Sequence, residues 1–209
     1  MQTIVYLTRH GQTEWNLERR LQGRGNSPLT SVGISGAEEL RDRIKDIRLD
    51  AIYSSPIERA FLTANIVKGN HDLKVITEEG FMEMSFGDYE GLKISEIYKI
   101  NPKFNMDQIM KVDINICAPN GETLAQVRER VKEAMDRIIE ENEGKSILIV
   151  THGMTLKALM YYFNDKDVNE EVMGQATLTK ITVENKKNFK IEFKNDGSHF
   201  KIEQTKQGW

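Results

Sequence analysis

The stretch Thr3-Ile4-Val5-Tyr6-Leu7-Thr8-Arg9-His10-Gly11 decides the fold. Six residues dominated by β-branched, aromatic and apolar types stop abruptly at an arginine, a histidine and a glycine, the pattern of a buried first strand that delivers polar groups at its carboxyl end. The same pattern recurs far along the chain. Ser146-Ile147-Leu148-Ile149-Val150-Thr151 is continuously apolar over its middle, as expected of a central strand covered on both faces, and it runs into His152-Gly153.

The intervening segments supply the rest of a sheet and its covering helices. From Ser31 to Arg48, Ala37, Leu40, Ile44 and Ile47 follow helical spacing, with Thr30 or Ser31 available as a cap. Ala51-Ile52-Tyr53 reads as a strand entering Ser54-Ser55-Pro56. A proline in the first turn of the next helix suits its missing N–H, and Ile57, Ala60, Phe61, Ala64 and Val67 form that helix's apolar stripe. Leu73 to Ile76 is a short strand. Thr123 and Gln126 match a capping box for a long amphipathic helix through Leu124, Val127, Val131, Ala134 and Ile138, ending near Gly144. Thr155 to Phe163 reads as a helix. Thr179 to Val183 and the alternating Phe189, Ile191 and Phe193 form a hairpin turned at Asn185 to Asn188.

This order predicts an α/β three-layer sandwich, with a mixed, mostly parallel central sheet flanked by helices. One domain is expected over 1–209. A small helical cap is expected at about 84–121, where Gly87, Gly91, Pro102 and Pro119 interrupt short apolar clusters. In such sheets ligands bind beyond the carboxyl ends of the strands. Arg9 and His10, Ser54 to Arg59, Glu83, and His152 with Gly153 all fall there.

Composition narrows the class without choosing a function. The longest wholly apolar run, Ala158 to Phe163, is too short to cross a bilayer, and the apolar Ile4 to Leu7 is too short for a signal-peptide core, so a cytoplasmic protein with no membrane partner is expected. The single cysteine, Cys117, rules out an intrachain disulfide and any multi-cysteine metal site. The histidines lack paired ligand spacing, so no metal is expected. With 29 basic and 32 acidic residues, the chain gives no electrostatic reason to bind nucleic acid. It also lacks a glycine-rich phosphate loop and a dinucleotide fingerprint.

The residues at the strand ends suit a phosphate monoester. Such a dianion reacts only if its charge is neutralised, a nucleophile is supplied and the leaving oxygen is protonated. Arg9 and Arg59 can clamp the phosphate through their planar guanidinium groups. His10 is the candidate nucleophile, provided it starts neutral with its other ring nitrogen held by an acceptor. Gly11 allows a tight turn and leaves room for the phosphoryl group. His152 and the Gly153 N–H can donate to the transferring oxygens. Glu83 is left as the general acid, and partial burial under the cap is the expected means of keeping its carboxyl protonated near neutral pH. His71 reads as a solvated turn residue and His199 as a packed or capping one. The Arg19, Arg20 and Arg24 cluster fits an ordinary solvated loop or an anion-attracting one equally well.

The residues that carry this chemistry also carry a resemblance. Arg9 to Asn16, Leu21-Gln22-Gly23, Ser27-Pro28-Leu29-Thr30 with Gly33, Ser54-Ser55-Pro56 with Arg59-Ala60 and Thr63-Ala64, Glu83 with Phe86-Gly87 and Glu90-Gly91, and Val150 to Gly153 resemble, in order, the histidine phosphatase superfamily, also called phosphoglycerate mutase-like. The resemblance implies a phosphohistidine at His10, a phosphate pocket completed by Arg9, Arg59 and His152, and Glu83 as proton donor. It places Asn16, Gln22 and Gly23 on the substrate side and implies no metal or organic cofactor. Only 69 positions (152 minus 83) separate Glu83 from His152, which leaves room for a modest cap. The chain is therefore most similar to the short broad-specificity phosphatases of the family, which release inorganic phosphate from small phosphorylated substrates. Mutase-type phosphoryl transfer and a non-catalytic phospholigand-binding module are the alternatives. Selectivity is expected from the cap, where Met106, Ile109 and Met110 form an apolar stripe. The chain points to no particular oligomeric state, and Lys186, Lys187, Lys190 and Lys194 on the hairpin suit an unpaired edge strand.

Overall fold

The computed structural model describes residues 1–104, 106, 115–169 and 172–201. Along the chain the elements are β1 (Gln2–Arg9), α1 (Glu14–Leu17), α2 (Ser31–Ile44), β2 (Ala51–Ser54), α3 (Glu58–Lys68), β3 (Val75–Thr77), α4 (Ile94–Ile100), α5 (Leu124–Glu141), β4 (Ser146–Thr151), α6 (Gly153–Tyr162), β5 (Leu178–Glu184) and β6 (Asn188–Asp196). The strands form one sheet in the order β3-β2-β4-β1-β5-β6. Parallel pairings join β1 to β4, β2 to β4 and β2 to β3, and the β5–β6 hairpin adds antiparallel pairings beside β1. This is the three-layer, mixed-sheet α/β architecture expected from the sequence.

Alternation along the central strands divides the core between the two faces. Ile147 and Ile149 of β4 and Val5 and Leu7 of β1 pack with α5 and α6, through Val131, Met135, Ile138, Leu156 and Leu159 among others. Leu148 and Val150, with Tyr6 and Ile52, pack with Leu40 of α2 and Ala60 and Ala64 of α3. β4 is thus apolar from Ile147 to Val150 because neither face meets water there. The caps match their sequence signals: Thr30 Oγ1 accepts from the Gly33 N–H, and Thr123 and Gln126 close a capping box on α5.

Several boundaries differ from the sequence reading. α2 stops at Ile44, short of Arg48; Ile47 still packs on the sheet, but from a turn in which its N–H bonds to the Ile44 carbonyl. Pro56 lies outside α3, and Ser55 Oγ accepts from the Ile57 N–H ahead of the helix. β3 begins two residues later than read, at Val75. α6 begins at Gly153, directly after the extended residue His152. In the segment around 84–121, Phe86, Tyr89, Ile97, Phe104, Met106 and Ala118 are buried in the same core cluster as α5. Met106 therefore fills core, while Ile109 and Met110 lie outside the described residues. No helix among the described residues is long and apolar enough to cross a membrane.

Candidate active site

The sheet register brings the two histidines together. Arg9 on β1 pairs with Thr151 on β4, so the next residue on each parallel strand is a histidine. The His10 N–H bonds to the Thr151 carbonyl at 2.9 Å, and the two imidazole centroids lie 5.2 Å apart. On the other side of β4, Ser54 pairs with Val150, which carries Ser55 to the same edge. Ser55 Oγ lies 2.8 Å from His152 Nε2.

His10 is buried and tightly held. Its Nδ1 lies 2.7 Å from the Gly11 carbonyl, an acceptor only, so Nδ1 carries the proton and Nε2 keeps its lone pair. The Arg59 Nε–H donates to that lone pair at 3.3 Å. Burial, followed by the positive charges of Arg59 and Arg9, holds His10 well below the usual histidine pKa. His152 is lowered likewise, by burial first and then by Arg59, His10 and Arg9. Both rings are neutral near pH 7. Ser55 Oγ already accepts from the Ile57 N–H, so its own proton is free to go to His152 Nε2. That leaves His152 Nδ1–H as a donor with no protein partner.

The arginines are fixed through backbone carbonyls. Arg59 donates from Nη1 to Gly25 and from Nη2 to Gly23, at 2.6 and 2.7 Å. One N–H on each terminal nitrogen is left for a ligand. Burial pushes Arg59 down to about 10, still protonated at neutral pH. The Gly23–Gly25 loop is in turn pinned by Glu90, which accepts from the Arg24 and Gly25 N–H groups. Arg9 donates from Nη1 to the Met173 carbonyl. A Cβ on Gly153 would lie 3.4 Å from Arg9 Cζ, which puts the first residue of α6 directly against the guanidinium.

Gly11 serves packing rather than a left-handed turn. A Cβ there would meet the Gly33 carbonyl oxygen at 2.4 Å, so the glycine lets the first turn of α2 approach the His10 loop. The Gly11 N–H donates to Thr63 Oγ1, and Thr63 donates to the Arg59 carbonyl, which ties the His10 loop to α3.

Glu83 is buried against the start of α6. Its carboxylate accepts from the N–H groups of Met84, Met154 and Thr155 at 2.9 to 3.2 Å, while Thr155 Oγ1, 3.3 Å from it, gives its own proton to the Met82 carbonyl at 2.6 Å. Two first-turn amides of α6 are therefore directed at Glu83. With three backbone N–H groups turned toward it, its environment is more polar than the simple burial expected from sequence.

Gln22 and Gly23 line the same cavity as Arg9, His10, Arg59, Glu83 and Gly153. Asn16 is not among its lining residues; its Oδ1 accepts from the Thr13 N–H and hydroxyl at the start of α1. Of the arginine cluster, Arg20 lines the cavity, and Arg24 pairs with Glu122. His199 packs as expected, bonded to Arg43 and the Ala176 carbonyl. His71 is half-buried in the turn after α3. Sequence reasoning gave no role to Ser55 or Thr63 and missed Lys157, which lines the cavity from α6. Its position four residues after Gly153, on the same helical face, was the available signal. Among the described residues no group of three or more His, Cys, Asp or Glu side chains is placed to hold a metal.

Comparison with known proteins agrees with this geometry. The chain is 32% identical over 199 residues to the uncharacterized phosphatase PhoE of Bacillus subtilis (strain 168), covering 94% of this chain and 96% of the relative. It is 33% identical over 158 residues to phosphoglycerate mutase-like protein 4 of Arabidopsis thaliana, covering 74% and 68%. Among solved structures, Bacillus stearothermophilus YhfR superposes with a TM-score of 0.86 at 37% identity, over 94% of this chain and 98% of that one. The family pattern of the histidine phosphatase superfamily (branch 1) matches residues 5–197, and the chain belongs to that superfamily.

Proposed function

We propose that the protein hydrolyses small phosphate monoesters through a phosphohistidine on His10, with inorganic phosphate as the product. The observation that carries this reading is a neutral His10, its Nε2 lone pair facing Arg59 and its ring beside His152 in one buried pocket. A substrate phosphate displaces the Arg59 Nε–H from that lone pair and takes donors from Arg9, Arg59 and His152 Nδ1. His10 Nε2 then bonds to phosphorus. The ester P–O bond breaks with its electron pair moving to the leaving oxygen, and Glu83 supplies the proton. In the second half, Glu83 takes a proton from water as the water oxygen attacks phosphorus. The P–N bond breaks, its electrons return to His10, and inorganic phosphate leaves. No step in this scheme calls for a metal or organic cofactor.

Glu83, held by three backbone N–H groups at the pocket, is the carboxyl that hands over this proton in the first step. We read the segment 84–121 as the cap over this pocket, within one histidine phosphatase domain spanning 1–209, and Gln22 and Gly23 as its substrate-side wall. Asn16 acts one step back, through the Thr13 loop.

The mutase-like relative favours one second reading, phosphoryl transfer between positions of a phosphoglycerate. Incubation with 3-phosphoglycerate, with and without 2,3-bisphosphoglycerate, separates the two. Hydrolysis releases inorganic phosphate in both cases. Isomerisation without phosphate release, dependent on the bisphosphate, would replace the phosphatase reading.

A further inference from the structure

The cavity continues past the phosphate pocket. Its lining runs on from Arg9, His10 and Arg59 to Met160, Val168 and Met173. On its wall, Lys157 is only 4% exposed, and its Nζ has no hydrogen-bond partner among the described residues. Burial pushes its ammonium down to about 8, so it is still mostly charged at pH 7. A buried, unpaired cation is costly, and an α-helix facing a core has no packing need for one.

The neighbouring charges are satisfied. Lys194 and Asp165, which line the same cavity, pair with each other at 2.9 Å. Arg20 donates to the Gly91 carbonyl and to Glu18. Among the described residues Lys157 thus has no ion-pair partner, and the cavity it lines also has an apolar wall of Met154, Met160, Val168 and Met173.

We propose that Lys157 Nζ forms a second anion subsite, and that the preferred substrate is a phosphomonoester whose leaving group has an apolar body ending in a carboxylate. The proposal rests on the phosphatase reading for the placement of the phosphoryl end at His10. The apolar wall receives the body of such a leaving group, and the ammonium receives its terminus. A carboxylate fits better than a second phosphate, because one ammonium balances one negative charge and a buried dianion would leave an excess. Binding would also give Lys157 the partner it lacks.

The test compares ω-carboxyalkyl phosphates of increasing chain length with their terminal amides. At the length that reaches Lys157, kcat/KM for the acid should exceed that for the amide by about tenfold or more, as for a charge-assisted hydrogen bond. Lys157→Met, which keeps the side-chain volume and removes a buried charge, should bring the ratio close to one, and Lys157→Arg should retain part of it. An acid that never outperforms its amide, or a preference that survives Lys157→Met, overturns the proposal. Calorimetric binding of the matching non-hydrolysable phosphonates provides a readout without turnover. If the wild type hydrolyses none of these esters yet binds the acid phosphonate tighter than the amide, and Lys157→Met does not, the subsite stands and the hydrolase reading falls. Equal binding of acid and amide phosphonates overturns the subsite whatever the activity.

Discussion

Arg59 Nε donates to His10 Nε2 across 3.3 Å, while His10 Nδ1 is held 2.7 Å from the Gly11 carbonyl. The arginine therefore acts on His10 in two ways. It caps the nitrogen proposed to attack, and its charge adds to burial in keeping that nitrogen unprotonated. Arg59→Lys retains a cation but loses the planar fork that reaches His10, Gly23 and Gly25 together. Its kcat/KM on p-nitrophenyl phosphate should fall by about a hundredfold or more, as when a preorganised donor is removed.

Burial of two neutral histidines makes stability depend on pH. Each folded-state pKa is depressed, so the unfolded chain binds more protons below about pH 6.5, the ordinary histidine value. The contribution is fully present above that value and is lost as pH falls, at up to about 1.4 kcal/mol per pH unit for each ring. Urea midpoints measured from pH 7 down to pH 5 should decline. A His10→Asn, His152→Asn double variant should show a flatter dependence, and equal slopes would refute the assignment. Side-chain ¹⁵N spectra should show both rings neutral at pH 6.

Glu83→Gln separates acid catalysis from phosphate binding. The amide oxygen can still accept from the Met84 and Thr155 N–H groups, so the fold should persist, but no proton can be handed over. Activity on an alkyl phosphate should drop by about 10²- to 10⁴-fold. The loss on p-nitrophenyl phosphate, whose leaving group needs little protonation, should be much smaller. Equal losses on both substrates would remove Glu83 from the role of acid.

Ser55→Ala tests the orientation of His152. It removes the hydroxyl 2.8 Å from Nε2 and leaves a fully buried imidazole nitrogen unpaired, at a cost of about 1–3 kcal/mol in stability. With the tautomer no longer fixed, kcat should fall more than KM rises. A stable variant with unchanged kcat would show that Ser55 does not set the tautomer.

Much of this arrangement was legible in the chain because two short strings end parallel neighbouring strands. Thr8-Arg9-His10 and Val150-Thr151-His152 sit in register, so pattern reading alone put both histidines at one edge. Arg59 was legible for the same reason, being carried in on the first turn of the helix after β2. Less could be read where the contacts are between segments distant in sequence. The amides of Met154 and Thr155 that hold Glu83 lie 71 and 72 positions away from it, and no local pattern marks a backbone N–H as someone else's donor. Asn16 is assigned to the substrate side by the family resemblance alone; what its own surroundings encode is a cap, through the Thr13 spacing, that engages its side-chain oxygen. Gly11 was read as a turn glycine because the carbonyl it accommodates belongs to Gly33, on a helix whose approach the local sequence does not reveal. Lys157 was hidden by its neighbours, since a single lysine before an apolar run ordinarily reaches solvent.

The most direct measurement is rapid mixing of the enzyme with excess p-nitrophenyl phosphate, quenching into alkaline denaturant and mapping of phosphorylated peptides by mass spectrometry. A phosphoryl group on the peptide carrying His10, formed and lost at rates matching turnover and absent from His10→Asn, is the expected result. Steady release of phosphate with no phosphorylated His10 at any time, or with the phosphoryl group on His152 instead, would contradict the mechanism.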